Sequence, residues 1–408
     1  MKPMPTQRRE TPFPLSWWMP VLAFLPAFLL RLANFHLVQL VVDDSSLNVP
    51  NVSAFVRFGM LAPDNWWTPP LKHLTLFGSM LLFGDDPVGW RLRSVFLGGL
   101  TVLLVFLLAR EALLSQFTAW TAAALLTLDP LSLLYARSTT EEVLAGALLV
   151  ASVLVTLRAL RPTVESGRTA GGLLLAAGVL FGLALSARWF AVIPLIATAL
   201  FWITRERVSS ARILDAATYF VLVPVTVYAA AYLPWLLQGH SLIDLVGLHA
   251  DGLRAQGSVG FARMDALQGP LRWLFGFVSA GGPLSQSGGR VPYSLTMSNP
   301  PVWVLFTPAL VWLAWGWRQA RKPELALIAI AFVATYVFFV ASPRPIYLYS
   351  AVAILPFAMI VIADAVAALP RGWRVAAVVL LVLWCAYLYP LTSAIPVPPG
   401  LYFGALPS

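Results

Sequence analysis

The chain alternates long apolar runs with short polar connections. The runs lie near residues 17–40, 90–109, 114–135, 141–160, 170–187, 189–204, 212–237, 301–317, 324–341, 345–369 and 373–390. Because each run is close to the length that crosses a bilayer as a helix, the pattern predicts an all-α polytopic membrane protein with about eleven transmembrane helices. The least certain boundary lies between 170 and 204, where only Arg188 separates two runs.

Two connections are much longer than the others. The first covers residues 41–89 and continues to Arg93, and the second covers residues 238–300. Loops of this length are usually functional or disordered, and the Trp, Pro and aliphatic content of the first one argues against disorder. We expect both loops to form short helices along the membrane surface. The chain then forms one transmembrane domain over residues 1–390, with residues 391–408 as an outer C-terminal tail.

Composition agrees with a membrane protein and excludes several other classes. Of the 408 residues, 59% are hydrophobic and 11% are charged, far from the averages of soluble proteins. The net charge of +9 comes from basic residues scattered singly, which does not favour nucleic-acid binding. The single cysteine, Cys385, allows neither an intrachain disulfide nor a zinc site of several cysteines. No cleavage site follows the first apolar run, so we expect a retained first helix.

The distribution of basic residues predicts the orientation. Fifteen of the 27 basic residues fall in the N-terminal segment and in alternate short connections, which places the N-terminus in the cytoplasm and both long loops outside. The other twelve lie on the outer side or within its helix ends, including Arg57, Lys72, Arg91, Arg93, Arg137, Arg188 and Arg344. An anionic substrate is one reason for so many cations on the disfavoured side.

Two pairs of adjacent carboxylates lie at predicted outer helix ends, Asp43-Asp44 and Glu141-Glu142. Acidic residues at this depth are costly unless they face a polar cavity or a partner. Two pairs that converge on one side could form a cleft in which one carboxylate takes a proton from a hydroxyl. The alternative is that each pair only ends a helix at the water interface.

Cationic and aromatic residues accompany these acids. Arg91 and Arg93 open the second long apolar run, Lys72 precedes them in the first loop, and Arg344 and Tyr347 join two late helices. A guanidinium group offers several donors in a fixed fork that suits phosphate oxygens. The alternative is that these residues anchor the chain among lipid headgroups, together with an aromatic belt.

The order of several short segments carries a family resemblance. The segments are Asp43-Asp44, Thr68-Pro69-Pro70-Leu71, Gly89-Trp90-Arg91-Leu92-Arg93-Ser94, Ala136-Arg137 with Glu142 five residues beyond the arginine, Ser298-Asn299-Pro300-Pro301-Val302-Trp303, and Arg344 with Tyr347 and Pro356. This order resembles that of the polyprenyl-phosphate-dependent glycosyltransferases of the GT-C class, specifically the protein O-mannosyltransferase and aminoarabinose transferase superfamily. The likeness extends from about residue 17 to residue 364.

The chain departs from the family pattern in places. The acidic pair is Asp-Asp where the family has Asp-Glu, Thr68 stands where the family usually has His or Lys, and Lys72 falls one position early. The large lumenal insert of the eukaryotic mannosyltransferases is missing. The resemblance therefore points to a prokaryotic member, a multi-pass protein of the plasma (inner) membrane.

The resemblance implies inverting transfer of a sugar from a polyprenyl-phosphate donor to an acceptor hydroxyl on the outer face. The acceptor is a protein, a glycolipid or a polysaccharide. Asp43 is then the general base, while Asp44 and Glu142 hold the acceptor or orient Arg91. The residues expected to bind the donor phosphate are Arg91, Lys72, Arg344, Tyr347 and Arg137.

The same resemblance implies no soluble cofactor, because fixed cations stand in for nucleotide and metal. A metal site made of Asp43, Asp44 and Glu142 is disfavoured, since no histidine lies close in sequence. Two other classes stay open. A secondary transporter predicts charges and broken helices in paired halves, which the sequence does not show. A catalytically silent subunit of a membrane complex is favoured by the departures from the family motifs.

Overall fold

The computed structural model describes residues 12–38, 49–58, 66, 68–161, 167–205, 208–258, 270, 273, 279–283, 292–297, 305–306, 308–311, 323–342 and 346–398. Its helices are α1 Trp18–Leu32, α2 Val49–Phe58, α3 Leu71–Phe83, α4 Pro87–Glu111, α5 Gln116–Thr127, α6 Pro130–Tyr135, α7 Glu141–Ala159, α8 Gly167–Ala187, α9 Val192–Thr204, α10 Ser210–Ala217, α11 Val223–Ala231, α12 Leu233–Leu236, α13 Leu242–Ser258, α14 Pro323–Ala341, α15 Leu355–Ala368 and α16 Arg371–Thr392. Single 3₁₀ segments precede α9 (Trp189–Ala191) and α15 (Leu348–Ala353), and a π-helical turn, Thr218–Leu222, joins α10 to α11.

Within the described residues, six helices are long and apolar enough to cross a membrane. They are α4, α7, the Ala170–Ala187 part of α8, the continuous stretch Ser210–Ala231, α14 and α16. Shorter apolar helices are α1, α3, the Trp189–Thr204 stretch and α15. The predicted helical, multi-pass membrane fold is confirmed. The number eleven stays a prediction, because most of the 301–317 run lies outside the described residues.

Local sequence explains where several helices begin. Asp86 caps α4, since its carboxylate accepts hydrogen bonds from the Val88 and Gly89 amides, and Pro87 follows at the first helical position. Asp129 caps α6 in the same way by accepting from the Ser132 amide. The Asp129 cap separates α5 from α6, which the apolar pattern alone runs together over 114–135.

The first apolar run ends differently from the prediction. Helix α1 stops at Leu32, although the apolar run continues to residue 40, and Asn34 takes a positive φ of 52° in the turn that follows. Asp43 therefore lies eleven residues beyond the end of α1, and the prediction that the acidic pair directly follows this helix is wrong. Hydropathy did not reveal this stop, because the turn residues are themselves largely apolar.

Close helix contacts hold the bundle together. A Cβ at Gly182 of α8 would lie 2.6 Å from the Val227 Cβ of α11, so only glycine permits this approach. Gly146 of α7 likewise faces the backbone of Ala353, where an added Cβ would lie 3.1 Å from Cα. The second contact brings the 3₁₀ segment Leu348–Ala353 against the N-terminal half of α7, which is where the charged cluster described below lies.

The two long loops contain short elements. The first contributes α2 and α3, as expected, and the second contributes α13. The second loop also forms an antiparallel hairpin of β1 (Ser279–Pro283) and β2 (Tyr293–Met297), in which Ser279 pairs with Met297. The expectation that this loop is built from helices alone was incomplete. The hairpin has a local cause, since a Gly- and Ser-rich stretch lies between the strands and β2 carries β-forming residues.

Candidate functional site

Four charged side chains from three separate elements meet at one end of the bundle. Glu141 and Glu142 occupy the first turn of α7, Arg188 directly follows α8, and Lys72 lies in the first turn of α3. Arg188 Nη2 lies 3.0 Å from Glu141 Oε1 and is also ion-paired with Glu142. Lys72 Nζ lies 3.4 Å from Glu141 Oε1. We call these four residues the charged cluster.

The helix positions of Glu141, Glu142 and Arg188 favour the cluster. The two carboxylates lie at the N-terminus of α7, where the helix dipole is positive, and Arg188 lies at the C-terminus of α8, where it is negative. The Glu142 side chain is fully buried and the Glu141 side chain is 7% exposed. A buried carboxylate requires such pairing, because burial without a partner is strongly unfavourable.

Arg93 of α4 holds the backbone next to two members of the charged cluster. Its Nη1 donates to the Lys72 carbonyl at 2.9 Å and to Thr75 Oγ1 at 2.7 Å, and its Nη2 donates to the Thr139 carbonyl at 3.2 Å. One guanidinium of α4 thereby joins the start of α3 to the segment that precedes Glu141. This arrangement positions Lys72 relative to the two carboxylates.

Aromatic rings form another side of the cluster. The Arg188 guanidinium lies over the Tyr349 ring at 5.9 Å, a distance typical of cation–π contacts. Tyr347 stacks on Tyr349, with ring centroids 5.6 Å apart and planes inclined by 16°. Tyr347 is 45% exposed, so the stack leads from the buried ion pair to the surface.

The central ion pair retains unused hydrogen-bonding capacity. Among the described residues, the buried atoms Glu142 Oε2 and Arg188 Nε have no hydrogen-bond partner. Buried polar atoms are nearly always paired, so an acceptor and a donor left over at one ion pair call for a specific explanation. A bound hydroxyl or water would satisfy both atoms, whereas a phosphate oxygen would satisfy only the Arg188 donor.

The structure brings two of the predicted site residues into the charged cluster, Lys72 and Glu142, and it places Tyr347 beside them. Asp43, Asp44 and Arg344 lie outside the described residues. Their predicted roles as base, acceptor ligand and phosphate ligand therefore stay predictions.

Arg91 and Arg137, predicted as phosphate ligands, donate to main-chain carbonyls. Arg91 Nη1 lies 3.2 Å from the Phe35 oxygen and 2.8 Å from the His36 oxygen, and the residue is 2% exposed. These bonds hold the segment that follows α1 against the first turn of α4. A phosphate-binding role for Arg91 stays a prediction.

Arg137 lies in the interior of the bundle. The fully buried side chain donates to the Arg31 carbonyl at 3.0 Å, to the Thr392 carbonyl at 2.7 Å and to the Leu30 carbonyl, and it lies 5.5 Å from the Tyr389 ring centroid. These contacts fasten the end of α1 to the end of α16. Arg137 therefore carries a packing role that its sequence motif did not predict.

An acidic side chain outside the spans anchors the first loop to α4. Asp85 accepts hydrogen bonds from Ser53 Oγ at 2.7 Å, Trp90 Nε1 at 2.9 Å and Arg57 Nη2 at 3.2 Å. Burial, the largest single effect, raises the pKa of Asp85, but these hydrogen bonds and the Arg57 charge together outweigh it and hold the pKa below the ordinary value. Asp85 thereby fixes α2 to the start of α4.

Sequence reasoning missed the central cation. From the sequence, Arg188 is a break between apolar runs and one of twelve cations on the disfavoured side, and neither Arg188 nor Glu141 has a role of its own. The available signal was the isolation of Arg188, since a single charge inside about thirty-five otherwise apolar residues requires a buried partner. Its partner, Glu142, is 46 residues away in the chain.

Comparison with solved structures defines the fold. ArnT from Cupriavidus metallidurans bound to undecaprenyl phosphate superposes with a TM-score of 0.59 at 15% identity, over 90% of this chain and 64% of that chain. The Saccharomyces cerevisiae protein O-mannosyltransferase Pmt1–Pmt2 complex bound to its sugar donor superposes with a TM-score of 0.71 at 12% identity, over 95% and 91%. The chain thus spans about two thirds of the ArnT length and has the fold of the GT-C glycosyltransferases.

Sequence comparisons agree with the fold. The family model for dolichyl-phosphate-mannose-protein mannosyltransferases matches residues 68–235, a segment that contains the whole charged cluster. A polyprenol-phosphate-mannose–protein mannosyltransferase of Corynebacterium glutamicum is 22% identical over 72% of this chain and 69% of that protein. The predicted resemblance to the protein O-mannosyltransferase and aminoarabinose transferase superfamily is confirmed.

Proposed function

We propose that this chain transfers a sugar from a polyprenyl-phosphate donor to an acceptor hydroxyl on the outer face of a prokaryotic plasma membrane, with inversion at the anomeric carbon. The observation that carries the proposal is the charged cluster, where Arg188 and Glu142 retain a buried donor and a buried acceptor beside an exposed aromatic stack. Support also comes from the relatives, since ArnT binds undecaprenyl phosphate and the Pmt1–Pmt2 complex binds a sugar donor.

The proposed reaction is a single displacement. The acceptor oxygen attacks the anomeric carbon, its proton passes to Asp43, and the bond from that carbon to the donor phosphate oxygen breaks. Negative charge then grows on the departing phosphate, and fixed cations stabilise it without a nucleotide or a soluble cofactor. Lys72, Arg188 and Arg344 are the cations that we place near this oxygen.

The remaining residues have supporting roles. Glu142 offers its unused oxygen to the acceptor hydroxyl, Asp44 holds the acceptor, and Tyr347 lies beside the donor phosphate and sugar. Arg91 and Arg137 act through the segments that they hold, because their described donors already bind main-chain carbonyls. The N-terminus lies in the cytoplasm, residues 1–390 form one domain, and the tail 391–408 lies outside.

The proposal is tested with purified protein in liposomes that contain a polyprenyl-phosphate sugar radiolabelled in the sugar. Membranes from cells that lack the gene serve as the source of acceptors, and the label is followed into protein, glycolipid and polysaccharide fractions. We expect label to appear in one fraction while free polyprenyl phosphate accumulates, with Asp43→Asn as the inactive control.

Each other outcome identifies a different class. Donor binding without transfer into any fraction would indicate a silent subunit, and movement of intact donor across the bilayer would indicate a transporter. The anomeric configuration of the labelled product, measured by NMR spectroscopy, should be opposite to that of the donor. A retained configuration would exclude the single displacement.

A further inference from the structure

Hydrogen bonds between three aromatic side chains connect the second outer loop to Trp189, the residue next to Arg188. Trp189 Nε1 donates to the Tyr228 hydroxyl at 2.8 Å, and this hydroxyl lies 2.5 Å from His249 Nε2. His249 Nδ1 lies 2.7 Å from the Leu245 carbonyl, which can only accept. In the neutral imidazole, Nδ1 therefore donates to the Leu245 carbonyl. Nε2 accepts a hydrogen bond from the Tyr228 hydroxyl.

The three residues come from different parts of the fold. Trp189 begins the 3₁₀ segment after α8, Tyr228 lies in α11, and His249 lies in α13 of the second outer loop. Tyr228 is the central member, because its hydroxyl bonds Trp189 on one side and His249 on the other. The Tyr232 hydroxyl lies 3.2 Å from the Tyr228 hydroxyl and 3.4 Å from His249 Nε2, whereas the Trp189 indole donates to Tyr228.

The same aromatic group reaches the first outer loop. Trp66, which is 2% exposed, lies 6.4 Å from the Tyr232 ring and belongs to a buried group with Trp235 and Leu245. Phe55 of α2 packs against this group. The two outer loops therefore pack together beside Trp189, which lies between α8 and α9.

The conformation of Arg188 makes it sensitive to this contact. Its backbone is extended, with φ −151° and ψ 129°, between the last residue of α8 and the 3₁₀ segment. The helix holds one flank of Arg188, since its amide donates to the Ala184 carbonyl at 2.8 Å. The other flank is Trp189, whose indole is held by Tyr228. The direction of the Arg188 guanidinium toward Glu142 therefore depends on α8 and on Trp189.

We propose that Tyr228 is a positioning residue for the sugar transfer, which acts through Trp189 to aim Arg188 at Glu141 and Glu142. The inference rests on the proposed function for its kinetic consequence, while its structural consequence does not depend on activity. The second outer loop, through His249, contributes to the geometry of the charged cluster without contacting it.

The kinetic test uses Tyr228→Phe, Trp189→Phe and the double variant in the full-length protein. Each substitution removes the Trp189–Tyr228 bond, so each should lower kcat about five- to thirtyfold with little change in KM for either substrate. The kcat of the double variant should be no lower than that of the less active single variant, because all three variants break the same connection. Tyr232→Phe is the matched control and should retain nearly all activity.

The structural test is hydrogen–deuterium exchange of the segment Ser186–Ala191. Tyr228→Phe and Trp189→Phe should both speed exchange there, and Tyr232→Phe should not. Additive kcat losses, or an equal loss in Tyr232→Phe, would overturn the positioning role and indicate general destabilisation. If the wild-type protein shows no transfer, the proposed function fails, and the exchange measurement alone still confirms or overturns the connection between Tyr228 and the Arg188 segment.

Discussion

The guanidinium of Arg188, one residue beyond α8, is ion-paired with the buried carboxylate of Glu142 in the first turn of α7. The two charges lie at adjacent ends of neighbouring helices, and each lies at the helix end whose dipole favours it. Glu141 shares the same guanidinium and connects it to Lys72. Loss of Arg188 would thus leave two carboxylates and one amine in a partly dry site.

Arg188→Ala should be strongly destabilising and should abolish transfer. Removing one partner of a buried pair typically costs about 3–5 kcal/mol, because the other charge stays buried. Arg188→Lys keeps the charge but lacks the planar guanidinium that pairs with two carboxylates. We therefore expect an unfolding midpoint between those of wild type and Arg188→Ala, and a kcat at least about tenfold below wild type. The measurements are the unfolding midpoint in detergent and the initial rate of transfer.

A matched control exists at another ion pair of the bundle. Arg205 pairs with Glu324 at 2.6 Å, and the arginine is 27% exposed, close to the 29% of Arg188. Arg205→Ala should lower the unfolding midpoint while the remaining folded protein keeps its kcat. Equal loss of kcat in both variants would mean that Arg188 matters only for folding.

Asp43→Asn should lower the transfer rate by about two to four orders of magnitude, since an amide cannot take the acceptor proton. Donor affinity should change little, because the carboxylate does not hold the lipid. Asp44→Asn should have a smaller effect on rate. Initial rate and donor affinity are measured for both variants in one detergent, and an active Asp43→Asn protein would exclude this residue as the base.

Lys72→Gln should raise the donor KM, because it removes a cation from the charged cluster. Arg137→Lys should instead lower the unfolding midpoint and leave the donor KM unchanged, since Lys cannot satisfy the carbonyls of Leu30, Arg31 and Thr392 together. The pair of variants separates phosphate binding from packing. A raised donor KM in Arg137→Lys would restore its predicted role as a phosphate ligand.

Asp85 should make the first long loop sensitive to acid. Its pKa in the folded protein lies below the ordinary value of 3.8, so its contribution to stability is present above that value and is lost as the pH falls further. Asp85→Asn should loosen α2 near neutral pH, and its difference from wild type should shrink below about pH 4.

Limited proteolysis or hydrogen exchange of α2 between pH 3 and 7 measures this effect. Asp86→Asn is the control, because Asn caps a helix as well as Asp does and the neighbouring Asp85 bonds stay in place. A constant difference between wild type and Asp85→Asn over the whole pH range would show that ionisation of Asp85 has no part in holding α2.

The orientation is tested by single cysteines in a Cys385→Ser background. Ser46→Cys and Asp251→Cys should react with an impermeant thiol reagent in intact cells, whereas Arg371→Cys should react only after lysis. The opposite pattern would reverse the topology and move the charged cluster to the cytoplasmic side. That result would remove the outer-face assignment but not the fold.

The apolar pattern by itself determined the helical membrane class and the approximate positions of its runs. Ten of the eleven runs correspond to described helices or helix pairs, because a bilayer requires long apolar segments whose backbone bonds are satisfied internally. The order of motifs indicated the resemblance to the GT-C glycosyltransferases, and the acidic pair Glu141-Glu142 and Lys72 were recognisable as candidate chemistry.

Only the tertiary structure decided which cations share a site. Arg137 lies five residues before Glu142, yet its donors turn to the ends of α1 and α16. Arg188 lies 46 residues after Glu142 and is its ion partner. Hydropathy reports that a charge needs a buried partner but not which one, because pairing depends on how α7 and α8 pack and where each helix ends. The early end of α1 was also not predicted, since a turn made of largely apolar residues does not interrupt the hydropathy of an apolar run.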